Sequence, residues 1–126
     1  MTKYSKKGLE RRRKEREGYS EFFEKHIKLI KSNNISCEEC GEKLRGDVSE
    51  VAHILPKNKF KSVATNSDNI IYLCGMYSTN QCHYKFDNSS IEYVREMKIF
   101  NKIVERFNSI RNLVQEKFSW KDLERF

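Results

Sequence analysis

No run of about 18 apolar residues occurs in this sequence, so no membrane-spanning helix is expected. The opening MTKYSKKGLERRR also lacks the apolar stretch of a secretory signal, which leads us to expect the thiols in a reducing compartment. Apolar residues are scarce too: only 37% of the 126 residues are hydrophobic and 34% are charged, too lean for a large core. Such a domain often recruits metal ions or disulfides to hold irregular segments. No internal repeat is visible. Proline occurs once, and it shares residues 35–87 with three of the five glycines and all four cysteines.

Positive charge is abundant but unevenly spread. Residues 1–16 carry Lys3, Lys6, Lys7, Arg11, Arg12, Arg13, Lys14 and Arg16 against Glu10 and Glu15, a net +6 of the whole chain's +7. A concentrated basic arm suits an anionic polymer, because each neutralised phosphate releases condensed counterions. A solvated tail is the plain alternative.

Three segments follow from composition: a basic helical arm at 1–33, an irregular core at 34–89, and helices at 90–126. The first reads as one proline-free helix from residue 5 to about 32, whose apolar stripe (Phe22, Phe23, Ile27, Ile30) begins late and which Ser32-Asn33-Asn34 ends. Short β-like runs at Asp47–Leu55 and Asn69–Leu73 flank a polar loop, Pro56–Asp68, that contains Lys57, Lys59 and Lys61. A loop of that length is functional or disordered as a rule. From Ser90 to Lys117, Ile91, Val94, Met97, Phe100, Ile103, Val104, Phe107, Ile110 and Val114 recur at helical steps, a stripe that suits a core or a homodimer surface. Ser119-Trp120-Lys121-Asp122 resembles a capping box and opens a last short helix.

Cys37-Glu38-Glu39-Cys40-Gly41 is a zinc-knuckle sequence: two thiolates three positions apart can share one ion when the chain turns tightly, as the glycine allows. Cys74 and Cys82 complete four ligands for a structural Zn²⁺. A redox CxxC pair is the competing use, but it needs a βαβ context that is missing here. His83 directly follows Cys82 and could replace it as the fourth ligand.

His53, on its own, is an ordinary packed or surface residue at a strand end. Its company changes the reading. Asn69 precedes the next apolar run, and His83 stands beside a cysteine. The ordered set Cys37, Cys40, Ala52-His53-Ile54-Leu55-Pro56, Asp68-Asn69-Ile70-Ile71, Leu73-Cys74 and Cys82-His83-Tyr84-Lys85 resembles the HNH endonuclease family over roughly residues 35–88.

The resemblance implies an α+β fold with a ββα-metal core and a zinc knuckle, flanked by terminal helices. It implies a phage- or prophage-type nuclease acting on DNA in the cytoplasm of a bacterial or phage-infected cell. His53 would be the general base and Asn69 the brace that aims it. His83 would bind a catalytic divalent ion, Mg²⁺ or Mn²⁺ by preference, with Asp87 one helical turn later on the same face. Lys57, Lys59, Lys61 and Arg11, Arg12, Arg13 would hold backbone phosphates.

At one position the chain departs from the pattern. Most members carry Asp or His just before the base, whereas this chain has Ala52, which coordinates nothing. Fewer protein ligands, a weakened or inactive site, or a substitute are the alternatives, and Glu50 is the best substitute if the strand runs through it. An inactive zinc module that binds nucleic acid or protein is the rival function.

Overall fold

A computed structural model describes residues 6–126. The expected helix start at residue 5 and Lys3 of the arm lie outside the described residues. The chain is a small α+β protein with five α-helices and one two-stranded antiparallel sheet among the described residues.

The first helix, α1, runs from Lys6 to Ser32, 27 residues or about 40 Å. Its first half is exposed, Arg11, Arg12 and Arg13 included. Its second half buries Phe22, His26 and Ile30, spaced by four, against strand β1 (Val51–His53). The buried face therefore runs through His26, with Ile27 only half-buried beside it. Asn34, in the left-handed region at φ 49°, turns the chain away after the helix.

Strand β1 pairs with β2 (Ile70–Tyr72) in the register Val51 with Tyr72, Ala52 with Ile71 and His53 with Ile70. Helix α2 (Cys82–Asn88) follows. The strands are shorter than the apolar runs suggested. Asp47 does not begin a strand; it caps a 3₁₀ turn at Val48–Glu50. The Pro56–Asp68 loop is ordered by burial of its own Phe60, Val63 and Ala64. Phe60 and Val63 join Leu55, Phe107 and Ile110 in a second core cluster.

The expected long helix from Ser90 is broken. Helix α3 (Ile91–Glu96), opened by the Ser90 side chain on the Tyr93 N–H, ends at Met97, and α4 (Phe100–Ile110) restarts after it. The break turns Ile99 fully into the core and frees its N–H to donate to Glu39 Oε1 at 3.0 Å. The apolar stripe of α4 (Ile103, Phe107, Ile110) is buried within the chain, so it is not a spare surface for a dimer. Helix α5 (Trp120–Glu124) opens with the expected capping box of Ser119 and Asp122. The main core cluster draws on all three segments, from Phe22 and Ile30 through Val51, Ile71 and Phe86 to Val94 and Ile103.

Candidate metal centre and adjoining cleft

Four cysteines converge where the knuckle, the end of β2 and the start of α2 meet. The sulfurs of Cys37, Cys40, Cys74 and Cys82 lie within 4.8 Å of one another, and none forms a disulfide. Cys40 and Cys74 are 3.7 Å apart, close to the ~3.8 Å that two thiolates at ~2.3 Å from a tetrahedral ion require. The turn that brings Cys37 to Cys40 closes through Cys37 N–H to Glu42 O at 2.7 Å and Gly41 N–H to Cys37 O at 2.9 Å. Gly41 sits at φ +81°, a conformation that strains any side chain. Backbone N–H groups of Cys40 and Cys82 point at the sulfurs of Cys37 and Cys74, at 3.4 and 3.3 Å.

Burial pushes the Cys37 and Cys82 thiols up, and for Cys82 the facing Cys74, Cys37 and Cys40 push further in the same direction. Burial also opposes ionisation of Cys40, but hydrogen bonds from the Glu42 backbone, Asn80 and its fellow cysteines outweigh it and bring the thiol down to about 7. Thiols this close cannot all ionise without a cation among them. The donor set fits a metal ion with four sulfur ligands. Cys82, not His83, supplies the fourth.

The two acids inside the knuckle, for which spacing suggested no role, tie it to the rest of the chain. Glu38 accepts the Tyr72 N–H at 2.8 Å and pairs with Arg106 at 3.2 Å and Lys102 at 3.4 Å. Glu39 accepts from Ile99, as described above.

His83 turns away from the cysteines into an open cleft of about 380 Å³, lined by Phe23, Val51, His53, Pro56, Lys57, Asn58, His83, Asp87 and Arg125. Its Nδ1–H donates to Ser49 O at 2.6 Å, and its Nε2 lies 3.0 Å from Asp87 Oδ2. Burial alone would push the His83 ring down, but the Asp87 carboxylate and the Ser49 carbonyl more than offset this and hold it above the ordinary value. With Nδ1 committed as a donor, a neutral ring faces a carboxylate oxygen with a lone pair. Only a proton or a cation makes that approach favourable. The pair suits an imidazolium–carboxylate ion pair, or two donors to a cation, beside the cleft.

His53 reaches the same cleft from the end of β1. Its Nε2 stands 2.8 Å from Ala64 O, and a carbonyl can only accept, so Nε2 carries the proton and Nδ1 the lone pair. Phe22 and Phe23 of α1 pack on the ring, their centroids 6.4 and 5.7 Å away. Burial lowers the His53 pKa, and with Lys57 and His83 it outweighs the Ala64 carbonyl and Asp87, which raise it. The imidazole is therefore neutral, and basic, at neutral pH.

Asn69 is wholly buried and grips the loop at two places. Its Oδ1 accepts the Leu55 N–H at 2.7 Å, while its Nδ2 donates to Leu55 O at 3.0 Å and Val63 O at 3.3 Å. Val63 adjoins Ala64, whose carbonyl holds His53, so the amide fixes the support of the ring without touching it.

Two expected residues are elsewhere. Glu50 is not on the strand and does not line the cleft. Its buried carboxylate receives the N–H groups of Arg45, Gly46 and Asp47 at 2.7–3.1 Å, closing the capping box whose Ser49 carbonyl orients His83. Lys59 pairs with Asp122 at 2.7 Å and so fastens α5 to the loop. Lys57 does line the cleft, its ammonium 5.0 Å from the Phe23 ring centre and 5.7 Å from that of Tyr19. Lys61 is exposed. Ala52 is fully buried and not among the cleft-lining residues.

Spacing gave no hint of Arg125, which enters the cleft from the end of α5, or of His26. The buried His26 bridges Tyr72 Oη at 2.5 Å and Ser67 Oγ at 3.3 Å beneath Phe22. No helix among the described residues is long and apolar enough to cross a membrane. The chain matches no family model, no curated protein and no solved structure.

Proposed function

We propose that the chain is a metal-dependent endonuclease of the HNH type that hydrolyses phosphodiester bonds in DNA, with Zn²⁺ held by the four cysteines as a structural staple. The observation that carries this reading is the cleft itself. A histidine whose Nε2 is held by the Ala64 carbonyl opens onto the same space as a histidine–carboxylate pair and two cationic side chains. Four sulfur donors suit Zn²⁺, a closed set that leaves no position for a substrate. The imidazole–carboxylate pair suits Mg²⁺ or Mn²⁺, with room for water and phosphate oxygens.

In this reading Nδ1 of His53 takes a proton from water as the water's electron pair attacks phosphorus. The proton on Nε2 stays bonded to Ala64 O, so the ring keeps its orientation while it becomes a cation. A positioned base of this kind contributes about 10²- to 10⁴-fold. His83 and Asp87 would hold the divalent ion, which when bound supplies Lewis-acid stabilisation of the charge on the phosphate and the departing 3′-oxygen. Lys57, Lys61 and the exposed arginines of α1 would add contacts to backbone phosphates that carry little sequence information. In the test, zinc-loaded parent protein nicks supercoiled plasmid in Mg²⁺ or Mn²⁺, and folded His53→Ala does so at least a hundredfold more slowly. Equal rates would refute the proposal.

One observation favours a second reading, a binding module without activity: the buried Ala52 adds no ligand to the His83–Asp87 pair. Such a module retards DNA in a gel and leaves it intact in every divalent ion tried.

A further inference from the structure

Helix α5 buries none of its own five residues, yet four bonds from four elements fasten it and the two residues that follow. Asp122 pairs with Lys59 of the loop at 2.7 Å. Arg95 of α3 donates to Glu124 O at 2.7 Å. Phe126 stacks flat on Phe107 of α4, with centroids 4.1 Å apart and planes 4° from parallel. Arg125 Nη2 donates to Phe86 O of α2 at 3.3 Å, and the guanidinium carbon lies 4.8 Å from the Phe86 ring centre. Besides packing Phe126 against the core, this fixing holds a guanidinium at the wall of the cleft beside His53, His83 and Asp87.

That guanidinium has capacity to spare. It carries five N–H donors, of which one is committed to Phe86 O. It takes part in none of the ion pairs among the described residues, and Asp87, the carboxylate of the cleft, is engaged by His83. Burial disfavours its charged form, with Asp87 only partly compensating. An arginine cannot shed that charge as a lysine can. A half-buried cation with a planar fork of donors, facing a solvent-filled cleft, is matched by a tetrahedral oxyanion that can accept two parallel bonds.

We infer that Arg125 is a phosphate-binding residue of this cleft, taking a backbone phosphate of the nucleic-acid strand that lies against His53. The inference rests on the nuclease reading for its ligand. It makes α5 a working part of the site and makes Lys59 its anchor instead of a DNA contact. Lys57 acts as the second cation of the same cleft.

The test is binding, not cleavage. Zinc-loaded protein without added divalent ion is titrated with a short fluorescein-labelled DNA duplex at several salt concentrations, and anisotropy is read. Arg125→Gln should weaken binding about five- to tenfold and lower the slope of log K against log salt by about 1, as loss of one phosphate contact requires. Arg125→Lys should restore the slope but not the full affinity, since a point charge lacks the fork. Arg125→Met keeps the stem on Phe86 and should bind like Arg125→Gln, which separates lost charge from lost packing. Parent-like affinity and slope in folded Arg125→Gln or Arg125→Met overturns the inference, as does a parent that does not bind the duplex. Should the parent bind but leave DNA uncut in Mg²⁺ and Mn²⁺ while Arg125→Gln loses affinity, the nuclease reading fails and the phosphate site stands.

Discussion

Cys82 and His83 are neighbours at the start of one helix, and they face two centres of opposite design. On one side, four sulfurs close around a point, three of the four cysteines are buried, and backbone N–H groups support the sulfurs. On the other, one imidazole nitrogen and one carboxylate oxygen stand 3.0 Å apart with open space beyond. A closed donor set holds the chain together; an open one leaves room for a reacting molecule. The comparison also shows how a lean chain obtains precision. The four-cysteine centre joins the knuckle to the sheet and α2, so the first turn of α2, which carries His83, inherits that rigidity.

The largest effect expected from breaking this contrast is at the closed centre. Cys74→Ser should leave the chain unfolded, with no cooperative thermal transition by circular dichroism. Structural zinc sites contribute about 10–16 kcal/mol, as much as or more than a typical domain's whole stability. A parent-like melt of Cys74→Ser would deny the closed centre its structural duty. Asn69→Ala comes next. It strands three buried backbone groups and should cost about 3 kcal/mol or more in urea denaturation, with cleavage lost as the Ala64 carbonyl drifts from His53. Unchanged stability would mean that the loop does not depend on the amide.

Glu50→Gln sharpens the boundary between the two centres. It weakens a set of charge-assisted bonds and should cost about 1–3 kcal/mol, with Mn²⁺ affinity at the cleft unchanged. A tenfold fall in that affinity in folded protein would tie Glu50 to the cleft, as a ligand or through the Ser49 carbonyl that orients His83. The mildest effect is that of pH. Burial lowers the pKa of both His26 and His53 below the ordinary 6.5, so the unfolded chain binds more protons on the acid side. Their contribution to stability is then fully present above 6.5 and declines as pH falls below it. Cleavage, which needs neutral His53, should follow the same sense, falling as pH drops through the lowered pKa of the folded ring, which lies below 6.5. A rate that rises on acidification contradicts the assignment of Nδ1 as the base.

Much of the closed centre was legible, because thiol ligands announce themselves by spacing: C-x2-C and C-x7-C converge as expected. His53, His83 and Asp87, which the family resemblance grouped, line one cleft, whereas Asn69 lies buried behind it against Leu55 and Val63. Glu50 was misplaced because an apolar run starting at Asp47 reads as a strand. Yet Asp47 and Glu50 have capping-box spacing, and that signal argued for a turn at the same residues. The break at Met97–Ile99 was hidden because the apolar period continues through it, while the acceptor that meets the Ile99 N–H there, Glu39, is 60 residues away. Arg125, and the pairing of Lys59 with Asp122, were beyond the sequence altogether. One basic side chain among 25 has no distinguishing neighbour, and only the folded chain brings α5 to the cleft.

The separation of the two centres is tested most directly by His83→Ala, assayed for zinc content, fold and plasmid cleavage together. The account predicts a folded protein that retains one tightly bound zinc per chain and has lost cleavage in Mg²⁺ and Mn²⁺ by at least a hundredfold. Loss of the zinc, or cleavage at the parent's rate, would contradict it.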